Sequence, residues 1–273
     1  MAEKISMIVT DLDGTFLNSK KEVTPASVEM LKKCKERGIL FGFASGRPIE
    51  TSLPLIRQWG LEEYISFIIG MNGSILYDCK TEQTQNFYQI PGSVALDIFE
   101  AYDDLDVVCT AMVGNVRYAK RSTPDSLENT HYYDEIEKVV DIEEFLSQRD
   151  VNKLTMYCGE ELVPVVRARY EALNDSRVNG FSSAFDLFEF TDPRVNKGYG
   201  LQQAAKHFGV SMDETLAFGD ASNDQSMIEV AKIGVCMANG EDRVKEASDF
   251  VTEETNDEDA VAKYVNRYVL KGE

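Results

Sequence analysis

The run Asp11-Leu12-Asp13-Gly14-Thr15 sets two carboxylates two positions apart directly after a short apolar stretch, Ile5 to Thr10. One ionised carboxylate in such a pair can attack phosphorus. The other can protonate the departing oxygen and later take a proton from water. Gly14 and Thr15 suit a sharp turn. A solvated acidic turn uses the same letters, and so does a calcium loop. The calcium reading fails because Phe16 falls at the sixth position, where an EF-hand needs glycine for its sharp turn, and Leu12 and Leu17 add no side-chain oxygen.

Three further groups follow apolar runs or open helical patterns. Ser45-Gly46-Arg47 comes directly after Ile39 to Ala44, and its hydroxyl and backbone N–H groups can bind phosphate oxygens or cap a helix. Asn196-Lys197-Gly198 sets an ammonium at a helix N-terminus, where an anion is favoured, although an isolated lysine is mostly exposed surface. Gly219-Asp220-Ala221-Ser222-Asn223-Asp224 follows another apolar run. Acids among apolar neighbours are disfavoured unless they hold a metal or a cation, and with Asp11 they make a hard oxygen set that suits magnesium.

The elements that must position these groups read as strand, helix, strand, helix, strand from Ile5 to Gly70. Thr24-Pro25 serves as a helix start, with Val28, Leu31 and Cys34 on one face and Gly38 as its stop. Ser74 to Tyr77 is a further short strand. Alternation returns with a helix from Lys197 to Phe208, a strand at Thr215 to Phe218, a helix from Ser222 to Ala231 and a strand at Ile233 to Cys236. Elements near Phe250 and from Asp257 to Tyr268 close the chain. This is the pattern of an α/β protein with a doubly wound, Rossmann-like parallel sheet, in which ligands bind at the carboxyl ends of the strands. Between lies an α+β module, with strands at Val107 to Met112, Lys153 to Cys158 and Phe185 to Phe190 and helices at Val94 to Tyr102 and Leu162 to Leu173. The expected division is 1–81 for the first part of the core, 82–190 for the inserted domain and 191–273 for the second part of the core.

Composition narrows the partners. The 273 residues are 43% hydrophobic and 27% charged, as in a globular protein with a sizeable core. A formal net charge of -19 repels polyanions, which argues against nucleic acid or an anionic membrane surface. No stretch approaches the roughly 20 apolar residues of a membrane span, and the start does not read as a signal peptide, so a cytoplasmic enzyme is expected. The five cysteines are far apart without a Cys-x-x-Cys pair and read as reduced core thiols.

Taken in order, Asp-Leu-Asp-Gly-Thr, Ser-Gly-Arg, Asn-Lys-Gly and Gly-Asp-x-x-Asn-Asp resemble the haloacid dehalogenase superfamily, and more narrowly its Cof-type phosphatases. The resemblance spans the chain to Gly234-Val235-Cys236-Met237-Ala238-Asn239. It implies a magnesium-dependent phosphatase of small phosphorylated metabolites that works through an aspartyl-phosphate. In this reading Asp11 is nucleophile and metal ligand. Asp13 is the general acid/base and offers its main-chain carbonyl to the metal, and Asp220 completes the protein ligands. Ser45, Gly46, Lys197, Asn223 and the backbone at Leu12 hold the phosphoryl group, while Asp224 orients Lys197 or a metal-bound water. Asn72-Gly73 also resembles a family feature. Only about thirty residues separate Asp13 from Ser45, so the cap is the later insert and resembles the family's second, C2B-like type. Arg117, Arg121 and His131-Tyr132-Tyr133 in the insert read as solvated surface, and His207 as a helix C-cap. A sugar phosphomutase of the same superfamily is the alternative, and a non-catalytic phospho-acceptor or binding protein is a further one.

Overall fold

The computed structural model describes residues 4–271. They form two compact units, one made of the N-terminal segment through Arg47, Ser52–Gln85 and the chain from Asn196 onward, the other of Pro48–Thr51 and Asn86–Val195. Apart from the short excursion at Pro48–Thr51, the chain passes between units at Gln85/Asn86 and Val195/Asn196, a few residues beyond the 81/82 and 190/191 expected. One reason is a polar strand, Gln83–Asn86, that extends the core sheet and carries no apolar run to announce it.

The first core segment runs β1 (Met7–Thr10), α1 (Pro25–Glu36), β2 (Leu40–Ala44), α2 (Ile49–Gln58), β3 (Phe67–Gly70), β4 (Ile75–Asp78) and β5 (Gln83–Asn86). The insert follows as α3 (Gly92–Ala101), β6 (Val108–Val113), β7 (Val116–Ala119), α4 (Pro124–Tyr132), β8 (Ile136–Val139), α5 (Ile142–Ser147), β9 (Lys153–Tyr157), α6 (Val163–Leu173), β10 (Asn179–Ser182) and β11 (Leu187–Thr191). The core then resumes with α7 (Lys197–Phe208), β12 (Thr215–Gly219), α8 (Gln225–Val230), β13 (Ile233–Cys236), α9 (Asp242–Ala247), β14 (Phe250–Val251) and α10 (Ala260–Tyr264).

The core sheet has the order β14-β13-β12-β1-β2-β3-β4-β5. Strand β1 is parallel to both of its neighbours, β2 and β12, and all four of its residues are buried, which is why it reads as an unbroken apolar run. The chain winds one way through β2 and β3 and the other way through β12, β13 and β14. The order reverses between β1 and β12, the place where open α/β sheets bind ligands. β4 is antiparallel to β3, so the sheet is mixed at that edge.

Local chemistry sets the helix ends. Thr24 accepts a hydrogen bond from the Ser27 N–H and opens α1 with Pro25 behind it. Asn196 accepts from the Tyr199 N–H at 2.8 Å to open α7, and Gly209 closes it in the left-handed region at φ 67°. Midway along α7, a Cβ on Gly200 would lie 2.4 Å from the Ile69 side chain and 3.0 Å from Gly73, so only glycine lets this helix seat so closely on β3.

Two expected helices are divided. Ser222–Asp224 forms a 3-10 turn before α8, and the stretch from Asp257 is broken by Asp259 at φ 62°, whose carboxylate accepts from Thr24 Oγ1. His207 does not act as a helix cap. Its Nε2 lies 2.9 Å from Asp78 Oδ2 and its Nδ1 3.0 Å from Gln85 Nε2, tying the end of α7 to β4 and β5.

In the insert, a six-stranded sheet of order β10-β11-β9-β6-β7-β8 packs against an apolar cluster that includes Val94, Ile98, Tyr102, Val166, Phe188 and Phe190. All of its pairings are antiparallel except β7 with β8. Arg117 is not solvated surface: it is 3% exposed, ion-paired with Glu135 and donating to Asn129 Oδ1 at 2.9 Å. Arg121 reaches the carbonyls of Leu105 and Val107. Among the described residues no helix is long and apolar enough to cross a membrane.

Candidate active site

Asp11 leaves β1 with its N–H bonded to the Phe218 carbonyl of β12, which places it at the reversal point of the sheet. Lys197, at the first position of α7, is 1% exposed, and its Nζ lies 2.5 Å from Asp11 Oδ1 and 2.6 Å from Asp224 Oδ1. Asp224 is fully buried. Its other oxygen accepts from the N–H groups of Asp220 and Ala221, both at 3.0 Å, and so fixes the loop after β12. Asp220 Oδ1 accepts from Thr15 Oγ1 at 2.6 Å, which closes the ring back onto the first motif.

Gly14 makes that closure possible. Its φ of +86° favours glycine, and a Cβ there would lie 2.5 Å from Asp220 Oδ2. The Gly14 carbonyl accepts from Asn239 Nδ2 at 2.8 Å, so the loop after β13 braces the same turn.

The carboxylates of Asp11, Asp220 and Asp224 come within 4.8 Å of one another, a grouping able to hold a metal ion. Asp13 is outside this group. Its carboxylate is half exposed and is gripped by Arg47, whose Nε and Nη2 lie 3.0–3.2 Å from the two oxygens.

The charges do not balance within the cluster, where three acids face one lysine. Burial, then the neighbouring carboxylates, push the Asp11 carboxyl up to about 8, with Lys197 acting against them. Burial likewise raises Asp220, to about 6. For Lys197, burial favours the neutral amine, but Asp11 and Asp224 outweigh it and hold the ammonium charged. A site with this excess negative charge gains from a cation, and all of its donors are hard oxygens, so the residues fit a divalent metal ion.

The remaining residues expected at the site are placed nearby in the core unit. Ser45, at the end of β2, is buried. Its N–H donates to Ile69 O, and its Oγ accepts from Arg47 N at 3.2 Å. A Cβ on Gly46 would lie 3.2 Å from Asn72 Oδ1, and that same oxygen accepts from Asn223 Nδ2 at 3.2 Å. The Leu12 side chain is in the core, so only its backbone is available to the turn.

Three residues had no role assigned from the sequence. Thr15 anchors Asp220, Arg47 grips Asp13, and Asn72, in a left-handed conformation at φ 54°, joins the Ser45-Gly46 turn to Asn223. Thr15 and Arg47 are parts of the motifs themselves. For Asn72 the Asn-Gly dipeptide was the signal.

Fold and site together define an α/β enzyme with an acidic, lysine-bearing centre at the carboxyl ends of its strands. The chain belongs to the haloacid dehalogenase-like hydrolase family, whose description matches residues 8–265, and its class is that of the family's phosphatases. It is 27% identical over 285 residues to the Bacillus subtilis 5-amino-6-(5-phospho-D-ribitylamino)uracil phosphatase YitU, covering 98% of this chain and 99% of that one. It is 26% identical over 280 residues to the chloroplastic endoribonuclease YBEY of Arabidopsis thaliana, where the match takes 98% of this chain but spans only 47% of the relative. Among solved structures, a haloacid dehalogenase-like hydrolase from Bacteroides thetaiotaomicron superposes with a TM-score of 0.85 at 27% identity, covering 97% of this chain and 99% of that one.

Proposed function

We propose that the protein is a magnesium-dependent phosphatase of small phosphorylated metabolites, with Asp11 as nucleophile. The observation that carries this reading is the contact of the Lys197 ammonium with Asp11 at 2.5 Å, beside two further carboxylates at the switch point of the sheet. An attacking carboxylate needs its negative charge delivered towards phosphorus, and a fixed ammonium beside it also neutralises phosphoryl oxygens. Asp11 attacks phosphorus, the bond to the leaving oxygen breaks, and an aspartyl-phosphate forms on Asp11. Asp13 protonates the leaving oxygen and then takes a proton from the water that hydrolyses the acyl phosphate. Arg47 holds the Asp13 carboxylate in place for that transfer.

Asp11, Asp220 and the main-chain carbonyl of Asp13 would hold magnesium, with Asp224 fixing Lys197 and the loop of Asp220. The ion when bound neutralises charge on the transferred phosphoryl group. Ser45, Gly46, Asn223 and the Leu12 backbone N–H would bind phosphoryl oxygens, and the insert at 86–195 would act as the cap that selects the leaving group. General acid catalysis contributes about 10²–10⁴-fold, far short of what phosphate monoester hydrolysis requires, so Asp13 cannot suffice without Asp11, Lys197 and the metal.

The expected result is hydrolysis of p-nitrophenyl phosphate that needs magnesium and disappears in Asp11→Asn. Activity that persists in that variant, or without any divalent metal, would overturn the mechanism. A panel of phosphorylated metabolites, including the ribitylaminouracil phosphate for which YitU is named, would give the substrate class. A hexose 1-phosphate converted to its 6-isomer without release of phosphate would favour a mutase instead.

A further inference from the structure

Helix α4 of the insert turns a stripe of side chains, Asp125, Glu128, Asn129 and Tyr132, onto a cavity of about 540 Å³. Their spacing of i, i+3, i+4 and i+7 makes them one face of the helix. Tyr157 at the end of β9 and the turn carrying Phe185 and Asp186, between β10 and β11, supply the other walls.

The cavity is held open by a fixed floor. Asn129 Oδ1 accepts from Arg117 Nη1 at 2.9 Å, and Asn129 Nδ2 donates to Asp186 Oδ2 at 2.9 Å, which sets the distance between α4 and the turn. The guanidinium of Arg117 is already answered by Glu135. Among the described residues, three carboxylates and no lysine, arginine or histidine line the cavity. Their field is felt at Tyr157, whose phenol is raised by burial first and then by Asp125, Asp186 and Glu128. Two of the aromatic walls are turned outward, with Phe185 74% and Tyr132 64% exposed, so their ring faces are open to a ligand.

Acids with aromatic faces suit a weakly hydrated organic cation better than a hydrated metal ion, which calls for further oxygen ligands in place of rings. We propose that this cavity of the insert is a binding site for an organic cation, a quaternary ammonium on a compact apolar or aromatic body. The rings of Tyr132, Tyr157 and Phe185 take the body and the face of the cation, and Asp125, Glu128 and Asp186 balance its charge. The proposal is independent of the phosphatase reading, because it is read by binding and not by turnover.

The experiment is calorimetric titration of the full chain, in magnesium, with benzyltrimethylammonium chloride and with benzyl alcohol as the neutral control. The ammonium should bind saturably and benzyl alcohol should not. Phe185→Ala should weaken binding about threefold to tenfold, the range set by loss of one cation–π face. A double variant, Asp125→Asn with Glu128→Gln, alters exposed side chains and should weaken binding similarly with unchanged thermal unfolding. Asp11→Asn should bind as the parent does. Equal binding of the alcohol, absence of saturable ammonium binding, indifference to the three cavity substitutions, or loss of binding in Asp11→Asn would each overturn the proposal.

Discussion

Lys197 and Asp11 lie 186 positions apart along the chain, yet their charged atoms stand 2.5 Å apart in a setting where the lysine is 1% exposed. Breaking such a buried pair leaves a desolvated charge behind. Lys197→Ala should destabilise the magnesium-free protein by about 3–5 kcal/mol and abolish turnover. Removing a positive charge also strengthens the field that attracts a cation, so the variant's unfolding temperature should rise more on adding magnesium than the parent's does. Thermal unfolding with and without magnesium checks both signs, and a smaller rise than in the parent contradicts the account.

Gly14 and Gly38 have similar backbone conformations, at φ +86° and +70°, but different surroundings. A Cβ at Gly14 meets Asp220 Oδ2 at 2.5 Å, whereas at Gly38 nothing lies within 4 Å. Both alanine variants should lose about 1 kcal/mol or more to backbone strain. Only Gly14→Ala should raise the magnesium concentration needed for half-maximal activity, since it displaces Asp220. Equal magnesium requirements in the two variants would refute the placement.

Arg47 grips Asp13 with two nitrogens, a geometry that lysine cannot reproduce. Arg47→Lys should lower kcat about tenfold, a fraction of the 10²–10⁴ range of general acid catalysis, and change KM much less. Steady-state kinetics decide, and a loss confined to KM would assign Arg47 to substrate binding instead.

Asp78 gives an acid-range test away from the site. Burial alone would raise its carboxyl, but the hydrogen bonds from His207 and from the Thr81 and Lys80 N–H groups outweigh it and hold it below the usual value. A lowered folded value stabilises the protein above the unfolded pKa of about 3.9 and is lost as pH falls through the folded one. Asp78→Asn should therefore be less stable than the parent at pH 7, with the gap closing below about pH 4. Urea unfolding across that range measures it, and a gap that widens in acid would be the wrong sign.

The legible part of the site is the part written next to apolar runs. Asp11, Ser45, Lys197 and Asp220 each stand where a buried strand ends or a helix begins, so residue type and local pattern pointed to them together. What could not be read depends on pairings across the fold. Thr15 meets Asp220 from 205 positions away, and nothing local to either residue foretells it. The same applies to His207, which looks like a helix cap until β4 brings Asp78 to it. In the insert, β8 (Ile136–Val139) and β10 (Asn179–Ser182) alternate too weakly to announce themselves. Arg117 reads as surface because Glu135 and Asn129, which make its burial tolerable, arrive from other elements.

The position of β1 in the sheet has a consequence for how the chain is made. Its partner β2 leaves the ribosome soon after it, but β12 follows only once the whole insert has been synthesised. Until then one edge of this fully buried strand is unpaired, and Asp11 waits without the lysine that neutralises it. Assembly of the candidate site is thus late and non-local, and a nascent chain halted before Thr215 leaves an apolar edge of β1 open.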